Sequence, residues 1–202
     1  MRSVNLARAG GAALDELRHA TSHCHRRLEK RLDVMRRFAD RGTYRSYLEC
    51  MFGYHRPFEQ SLRRHPVLRF LPDYEQRCKA QLLASDLAAL GATAACIDAL
   101  RHCPKIPSTL DEASAFGSLY VLEGATLGGQ VLLPIVEQRL QLTREAGASY
   151  LGSYGAHVPA MWQRFCAAVE DWCTDGARRA VAAAAAVATF ESLEEWLCGD
   201  PA

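Results

Sequence analysis

Apolar residues recur at steps of three and four along most of this chain, which is the period of an α-helix with one buried face. No stretch alternates apolar and polar residues as a half-buried β-strand does. At 202 residues, the chain has the length of one domain. We therefore predict an all-α single domain over residues 13–198, after a flexible segment over 1–12 and before a short tail over 199–202. The clearest stripe, in the first long segment, is formed by Leu14, Leu17, Thr21, Cys24, Leu28, Leu32 and Met35.

Charge and cysteine content exclude several classes of protein. The 24 basic and 23 acidic residues give a net charge of +1, which argues against a nucleic-acid-binding protein. The eight cysteines form no CxxC pair, so neither a zinc ribbon nor a thioredoxin-type motif is present. Reduced thiols in the cytoplasm fit this pattern best. No signal-peptide core and no apolar run of about 20 residues is found, so we expect no membrane span.

The charge is unevenly distributed along the chain. Residues 1–70 hold 15 basic and 7 acidic residues, a local charge of +8. This excess of basic residues indicates one of two things: a solvated basic face on the first helices, or a site for an anionic ligand or an acidic partner. Composition alone favours the solvated face.

The segment GSLYVLEGATLGGQVLLPIVEQRL has a helical pattern but contains residues that weaken a helix. Gly124, Gly128 and Gly129 each destabilise a helix interior by about 1 kcal/mol relative to alanine. Pro134 removes one further hydrogen bond, so we expect the helix to be bent here. Missing Cβ atoms allow either close packing of another helix or a flat ligand lying against the backbone. On this segment alone the two interpretations are about equal.

His25 lies at the edge of the apolar stripe of the first helix, where a side chain can face a pocket. Arg18 precedes it by two helical turns, about 10 Å, and Glu29 follows it by one turn. The commoner role of such a histidine is purely structural. His19 and His23 form an i,i+4 pair that could bind a metal ion, but we interpret both as surface residues.

Asp73, with Gln76 three residues later, predicts the start of a helix that continues to Gly91.

Several segments together resemble the heme oxygenases, and in particular the bacterial branch associated with bacteriophytochromes. Their order and spacing hold from about Leu17 to Leu197, which is nearly the whole chain. The segments are LRHATSHCHRRLE, LLASDLAALG, SLYVLEGATLGGQVL, GSYGAHVPAMWQRF and ATFESLEEWL.

This resemblance implies a heme-oxygenase-like helical bundle with a glycine-kinked distal helix, and assigns roles to residues. His25 would be the proximal ligand of the heme iron, and Arg18 and Tyr120 would contact heme propionates. Thr21 and Glu29 complete the expected first-helix site. The distal glycines would be Gly124, Gly128 and Gly129.

Two positions depart from the family pattern or match it poorly. Ala125 stands where the mammalian enzymes carry an aspartate that anchors distal water. Thr126, Gln130 and glycine carbonyls are therefore the candidates to hold that water. Arg164 is the candidate late-helix contact to a propionate.

The resemblance implies that heme is both cofactor and substrate. With O2 and electrons from an external donor such as a ferredoxin or a reductase, heme would yield biliverdin, carbon monoxide and ferrous iron. The expected product is the alpha isomer, which a bacteriophytochrome would take as its chromophore. The alternatives are a heme-binding protein without turnover, a thiaminase-like hydrolase using Cys50, Cys166 or Cys173, and an interaction domain with no cofactor.

Overall fold

A computed structural model describes residues 10–199. Across this range the chain is helical and contains no β-strand, only isolated bridges at Thr143, which confirms the all-α prediction. Residues 1–9 and 200–202 of the predicted end segments lie outside the described part. The helices are α1 (Ala12–Leu32), α2 (Val34–Arg37), α3 (Arg41–Leu62), α4 (Tyr74–Arg77), α5 (Ala80–Ala89), α6 (Ala94–Asp98), α7 (Glu112–Leu140), α8 (Ser149–Gly152), α9 (Val158–Trp172) and α10 (Gly176–Cys198).

Aspartates begin the long helices α3, α7 and α10. Asp40 and Asp111 each accept a hydrogen bond from a backbone N–H three residues later, and Thr43 and Ser114 complete capping boxes. Asp175 caps α10 in the same way, without the reciprocal bond. Each such cap satisfies backbone donors that the first helical turn leaves unpaired.

The prediction of one helix from Asp73 to Gly91 is wrong. The helix α4 ends at Arg77, because Cys78 takes an extended conformation with ψ of 132°. Asp73 makes no side-chain cap, and its carboxylate binds the Arg77 guanidinium instead. A second helix, α5, begins at Ala80, where Glu59 accepts hydrogen bonds from the N–H groups of Lys79 and Ala80.

The central helix is α7, which packs against α10, α8 and α9. A Cβ atom on Gly117 would overlap the backbone of Ala182 in α10, so glycine is required for the contact. Ala182 and Ala186 are also buried, which explains why the alanine-rich α10 has small residues on this side. The helix α7 is unbroken from Glu112 to Leu140, and the bend expected at its glycines stays a prediction.

By length and composition alone, α7 could cross a bilayer, with a mean hydropathy of 1.4 over its most apolar part. The central helix of a folded domain passes the same test. Near its middle, Glu123 is buried and paired with Arg77 of α4, and the helix packs on three others. We therefore interpret α7 as a core helix.

Carboxylates fix α1 on α9 and α10. Glu170 of α9 accepts a hydrogen bond from the N–H of Leu14 at 2.8 Å, at the start of α1. Further along, Glu194 of α10 accepts hydrogen bonds from Arg27 at 2.6 Å and Arg31 at 2.8 Å. The position of α1 is therefore set by α9 and α10.

Candidate functional site

His25 projects from α1 with 58% of its side chain exposed. Its Nδ1 atom lies 3.7 Å from the nearer carboxylate oxygen of Glu29, one turn along the helix. The ring of Phe190 meets the imidazole edge-on, with 5.8 Å between ring centroids. Glu29 of α1 and Phe190 of α10 thus lie beside the imidazole. A histidine that binds a metal commonly donates a hydrogen bond from its second ring nitrogen to a carboxylate; the Glu29 carboxylate is close to that nitrogen but beyond hydrogen-bond distance.

Tyr120 joins α7 to α1. Burial raises the pKa of Tyr120, while the Thr21 hydroxyl and the positive charge of Arg18 act in the opposite direction. Arg18 also forms an ion pair with Asp15 at 2.8 Å. The structure therefore brings together three residues that the sequence analysis proposed separately: Arg18, Thr21 and Tyr120.

Beyond Tyr120, Gly124 and Gly128 follow on α7 at one-turn intervals. A Cβ atom on Gly128 would meet no atom within 4 Å, and one on Gly124 would lie 3.8 Å from the Trp162 ring. Gly128 and Ala125 are exposed. This side of α7 is thus open backbone, accessible to a flat ligand.

Gly129 serves a different purpose. It is buried, and a Cβ atom there would lie 2.5 Å from the carbonyl oxygen of Leu151 in α8. The expectation that all three glycines face a ligand is therefore wrong for Gly129, which allows α8 to pack directly on α7.

The two side-chain candidates for holding distal water are engaged elsewhere. Thr126 is buried, and its hydroxyl donates to the carbonyl of Glu123 at 2.7 Å. The side-chain amide of Gln130 donates to the carbonyl of Gly152 at 3.4 Å. The structure therefore does not bring Thr126 to the open glycine face.

Arg164 is also placed away from this face. It follows Trp162 by two residues, which rotates it by about 200° around α9. Its guanidinium lies 3.5 Å from the carboxylate of Asp73, beside a surface groove that includes Phe70 and Asp171. The assignment of Arg164 as a propionate contact is thus not supported by its position.

Sequence reasoning missed Trp162. Its ring packs beside Gly124 and lies 5.7 Å from the Tyr120 ring, between centroids. A tryptophan in an amphipathic helix gives no sign of which other helix it will contact.

A buried charged cluster was also missed. Arg77, Lys79 and Glu123 are all at most 3% exposed. Burial lowers the pKa of Lys79 to about 8, against the raising effect of nearby Glu123 and Glu59. A usable signal exists in the sequence: Glu123 is the one charged residue in the apolar run from Ala113 to Val136. A carboxylate in such a position requires a buried partner.

The arrangement suits a heme group better than a bare metal ion. Within residues 10–199, no cluster of three or more His, Cys, Asp and Glu residues is placed to hold an ion. A single histidine suffices as the protein ligand of heme iron. His25 offers an exposed imidazole as that ligand, and the backbone at Gly128 is exposed.

Comparison with known proteins agrees with this geometry. The heme oxygenase family model matches residues 12–198. A heme oxygenase of Xanthomonas campestris pv. campestris (strain 8004) is 30% identical over 161 residues, covering 77% of this chain and 90% of that protein.

Two solved structures share the fold. The NO- and CO-bound heme oxygenase from Neisseria meningitidis superposes with a TM-score of 0.75 at 20% identity, over 92% of this chain and 89% of that one. The heme oxygenase from Leptospira interrogans gives 0.74 at 20% identity, over 93% and 99%.

The adjacent glycines Gly128 and Gly129 provide a matched pair of substitutions. We expect Gly128→Ala to stabilise the heme-free protein by up to about 1 kcal/mol, because alanine favours a helix and meets open space. Gly129→Ala should destabilise it by about 1–3 kcal/mol, because its methyl group overlaps the Leu151 carbonyl. Urea unfolding monitored by circular dichroism measures both changes. Equal effects of the two substitutions would contradict these assignments.

Proposed function

This chain belongs to the heme oxygenase family and is a heme-degrading oxidoreductase, and we propose that it binds heme between α1 and the open face of α7. The single observation that carries this placement is the surroundings of Tyr120 in α7: the Thr21 hydroxyl and the charge of Arg18, both in α1 and within two turns of His25, act on the pKa of Tyr120. The exposed imidazole of His25 lies one turn after Thr21 in α1. The glycine backbone at Gly124 and Gly128 lies one and two turns after Tyr120 in α7.

In this proposal His25 would be the protein ligand of the heme iron. The Nδ1 atom lies 3.7 Å from Glu29 and the ring makes an edge-to-face contact with Phe190, so these two residues would help to orient the imidazole. Arg18 provides a cation near Tyr120, and the two are the candidates to hold an acidic edge of the ligand.

Bound heme supplies the iron that activates O2. The thiolate ligand of a cytochrome P450 donates electron density that favours cleavage of the O–O bond, whereas a neutral histidine ligand donates less. The protein restricts where that chemistry occurs. The backbone at Gly124 and Gly128 carries no side chain, so α7 would lie close to a bound heme and would restrict its oxidation to one edge of the ring. The carbonyl groups of the glycine segment remain as candidates for binding distal water.

The proposed reaction is tested by adding one equivalent of hemin under air with ascorbate or a ferredoxin system. We expect a histidine-type Soret band that is lost as a broad red biliverdin band grows, and carbon monoxide that is trapped by myoglobin. A stable oxy-heme spectrum would instead identify a heme-binding protein without turnover. The absence of any stoichiometric heme complex would overturn the heme proposal and favour a thiaminase-like hydrolase or a cofactor-free domain.

We propose biliverdin IX-alpha as the product and a bacteriophytochrome as its acceptor, on the resemblance of the sequence to that branch of the family. Chromatography of the product beside the four biliverdin isomers tests the first part. Assembly of the product with an apo-bacteriophytochrome, read as the appearance of its red-absorbing form, tests the second. Another dominant isomer, or failure of assembly, would contradict the corresponding part.

We further propose that the basic surface of α1 and α2 docks an acidic electron donor such as a ferredoxin. Arg26, Lys30 and Arg36 are exposed there, whereas neighbouring Arg27 and Arg31 are bound to Glu194. Electrostatic complementarity of this kind accelerates association, and salt weakens the effect.

The docking surface is tested with Arg26→Glu/Lys30→Glu, and with Arg64→Glu just beyond the end of α3 as a control. We expect the double substitution to slow reduction by ferredoxin about tenfold or more at low salt, with a smaller effect at high salt. The control should behave as the unmodified protein. Unchanged reduction by every acidic donor at all salt concentrations would remove this proposal.

A cytoplasmic location is also proposed, because all eight cysteines are free thiols and such thiols persist in reducing compartments. Recovery of the protein in a secreted or periplasmic fraction would contradict it.

A further inference from the structure

Arg77 has an unusual position for a charged residue. Only 1% of its side chain is exposed, and it lies at the end of the four-residue helix α4, outside the heme-facing residues described above. Its ion pair with Glu123, also buried, joins Nη1 to the carboxylate at 2.5 Å. Burying such a pair generally contributes little to stability, because desolvation offsets the attraction. The pair therefore calls for an explanation other than stability.

The guanidinium of Arg77 joins two different helices. Besides Glu123 of α7, it donates to the carbonyl oxygen of Met161 in α9 at 3.2 Å. Asp73 holds the same guanidinium with two hydrogen bonds of 2.7 Å and 2.9 Å. All three partners accept hydrogen bonds from one planar, rigid group, so the spacing between α7 and α9 is fixed at this level.

The residues that follow these two contacts are the ones that meet at the glycine face. Glu123 is followed by Gly124 in α7, and Met161 is followed by Trp162 in α9. The ring of Trp162 lies beside Gly124, at the 3.8 Å distance given above. Arg77 links Glu123 to Met161, and the next residue in each helix takes part in the Gly124–Trp162 contact. A change in the distance between Glu123 and Met161 would therefore also change the distance between Gly124 and Trp162.

Glu123 is also held from its other side. The hydroxyl of Tyr154 donates to its carboxylate at 2.8 Å and itself accepts from the ammonium group of Lys79 at 2.7 Å. Lys79 in turn donates to the backbone carbonyl of Arg77 at 2.6 Å. These bonds close a loop, so the carboxylate of Glu123 cannot move without breaking several of them.

We propose that Arg77 is a positioning residue for the proposed heme site: by bridging Glu123 and the Met161 carbonyl, it sets the separation of Gly124 and Trp162 and so the orientation of the bound ring. This inference rests on the proposed location of heme beside α7. Trp162 forms the lateral wall of that location, and Arg77 determines how far the wall stands from the glycine backbone.

Two variants separate positioning from simple loss of a charge. Arg77→Met/Glu123→Gln removes both charges of this ion pair together, so neither partner of the pair is left alone. Lys79 keeps its hydrogen bonds to the backbone carbonyl of residue 77 and to the Tyr154 hydroxyl. Arg77→Lys keeps the positive charge but lacks the planar fork that reaches both helices. Arg69→Lys is the matched control, because Arg69 binds Glu112 at the start of α7 with a similar 2.8 Å contact but is exposed.

The first readout needs no heme. The protein contains three tryptophans, and labelling with 5-fluorotryptophan gives each a 19F resonance that single Trp→Phe variants assign. We expect both Arg77 variants to shift and broaden the Trp162 resonance, while Trp196, which donates to the Cys50 carbonyl, remains unchanged. The Arg69→Lys control should leave the Trp162 and Trp196 resonances in place, whereas Trp172 packs on Phe70, the ring beneath the Arg69 guanidinium, and is not used in this comparison. An unchanged Trp162 resonance in folded Arg77→Lys would overturn the proposal.

The second readout is the distribution of bilin isomers after heme degradation. We expect about a tenfold loss of isomer selectivity in the Arg77 variants, which corresponds to about 1.4 kcal/mol between competing barriers. An unchanged isomer distribution, with Trp162 displaced, would show that this wall does not orient the ring and would overturn the functional half. If the unmodified protein does not degrade heme at all, the proposed function fails, whereas the 19F result still decides whether Arg77 positions Trp162.

Discussion

The contact between the backbones of α7 and α10 at Gly117 and Ala182 is the constraint on which the rest of this structure depends. It places the central helix directly on α10, with no side chain between them. The same α10 holds α1 through Glu194. The two helices that carry the proposed site are therefore positioned by a shared third helix. We propose that the ligand lies between these two helices.

Glycines in α7 divide the helix into parts with different purposes. Gly117 and Gly129 fit against the backbones of α10 and α8, and substitution at either must displace a neighbouring helix. Gly124 and Gly128 lie between them; Gly124 is flanked by the Trp162 ring, and Gly128 leaves the backbone uncovered. The helix is held against α10 on one side of this segment and against α8 on the other. These two contacts fix the position of the segment, which a ligand lying close to its backbone requires.

Much of the fold could be predicted from the sequence, because its signals are local. The stripe of α1, the capping aspartate of α7 and the absence of alternating patterns each depend on neighbouring residues. The break at Cys78 could not be predicted, because Asp73 has two uses, as a cap or as a partner of Arg77. The choice between them depends on Glu123, some 50 residues away.

In the candidate site, too, features that depend on local sequence could be predicted and those that depend on distant contacts could not. His25, Tyr120 and the glycine cluster have sequence patterns that point to a ligand, and the family resemblance gave each a role. The different use of Gly129 depends on Leu151, and the position of Trp162 depends on the packing of α9. The contact of Arg164 with Asp73 could not be predicted, because a basic residue in an amphipathic helix does not reveal which side of that helix faces the site. Contacts between distant segments determine these details.

The central claim is that His25 of α1 is the iron ligand on one side of a heme bound against α7. Resonance Raman spectroscopy of the ferrous heme complex tests it most directly, through the iron–histidine stretching band. The account predicts that this band is present in the unmodified protein, absent in His25→Ala and restored by added imidazole, while His23→Ala retains it. Persistence of the band in His25→Ala would contradict the account, because another histidine would then hold the iron.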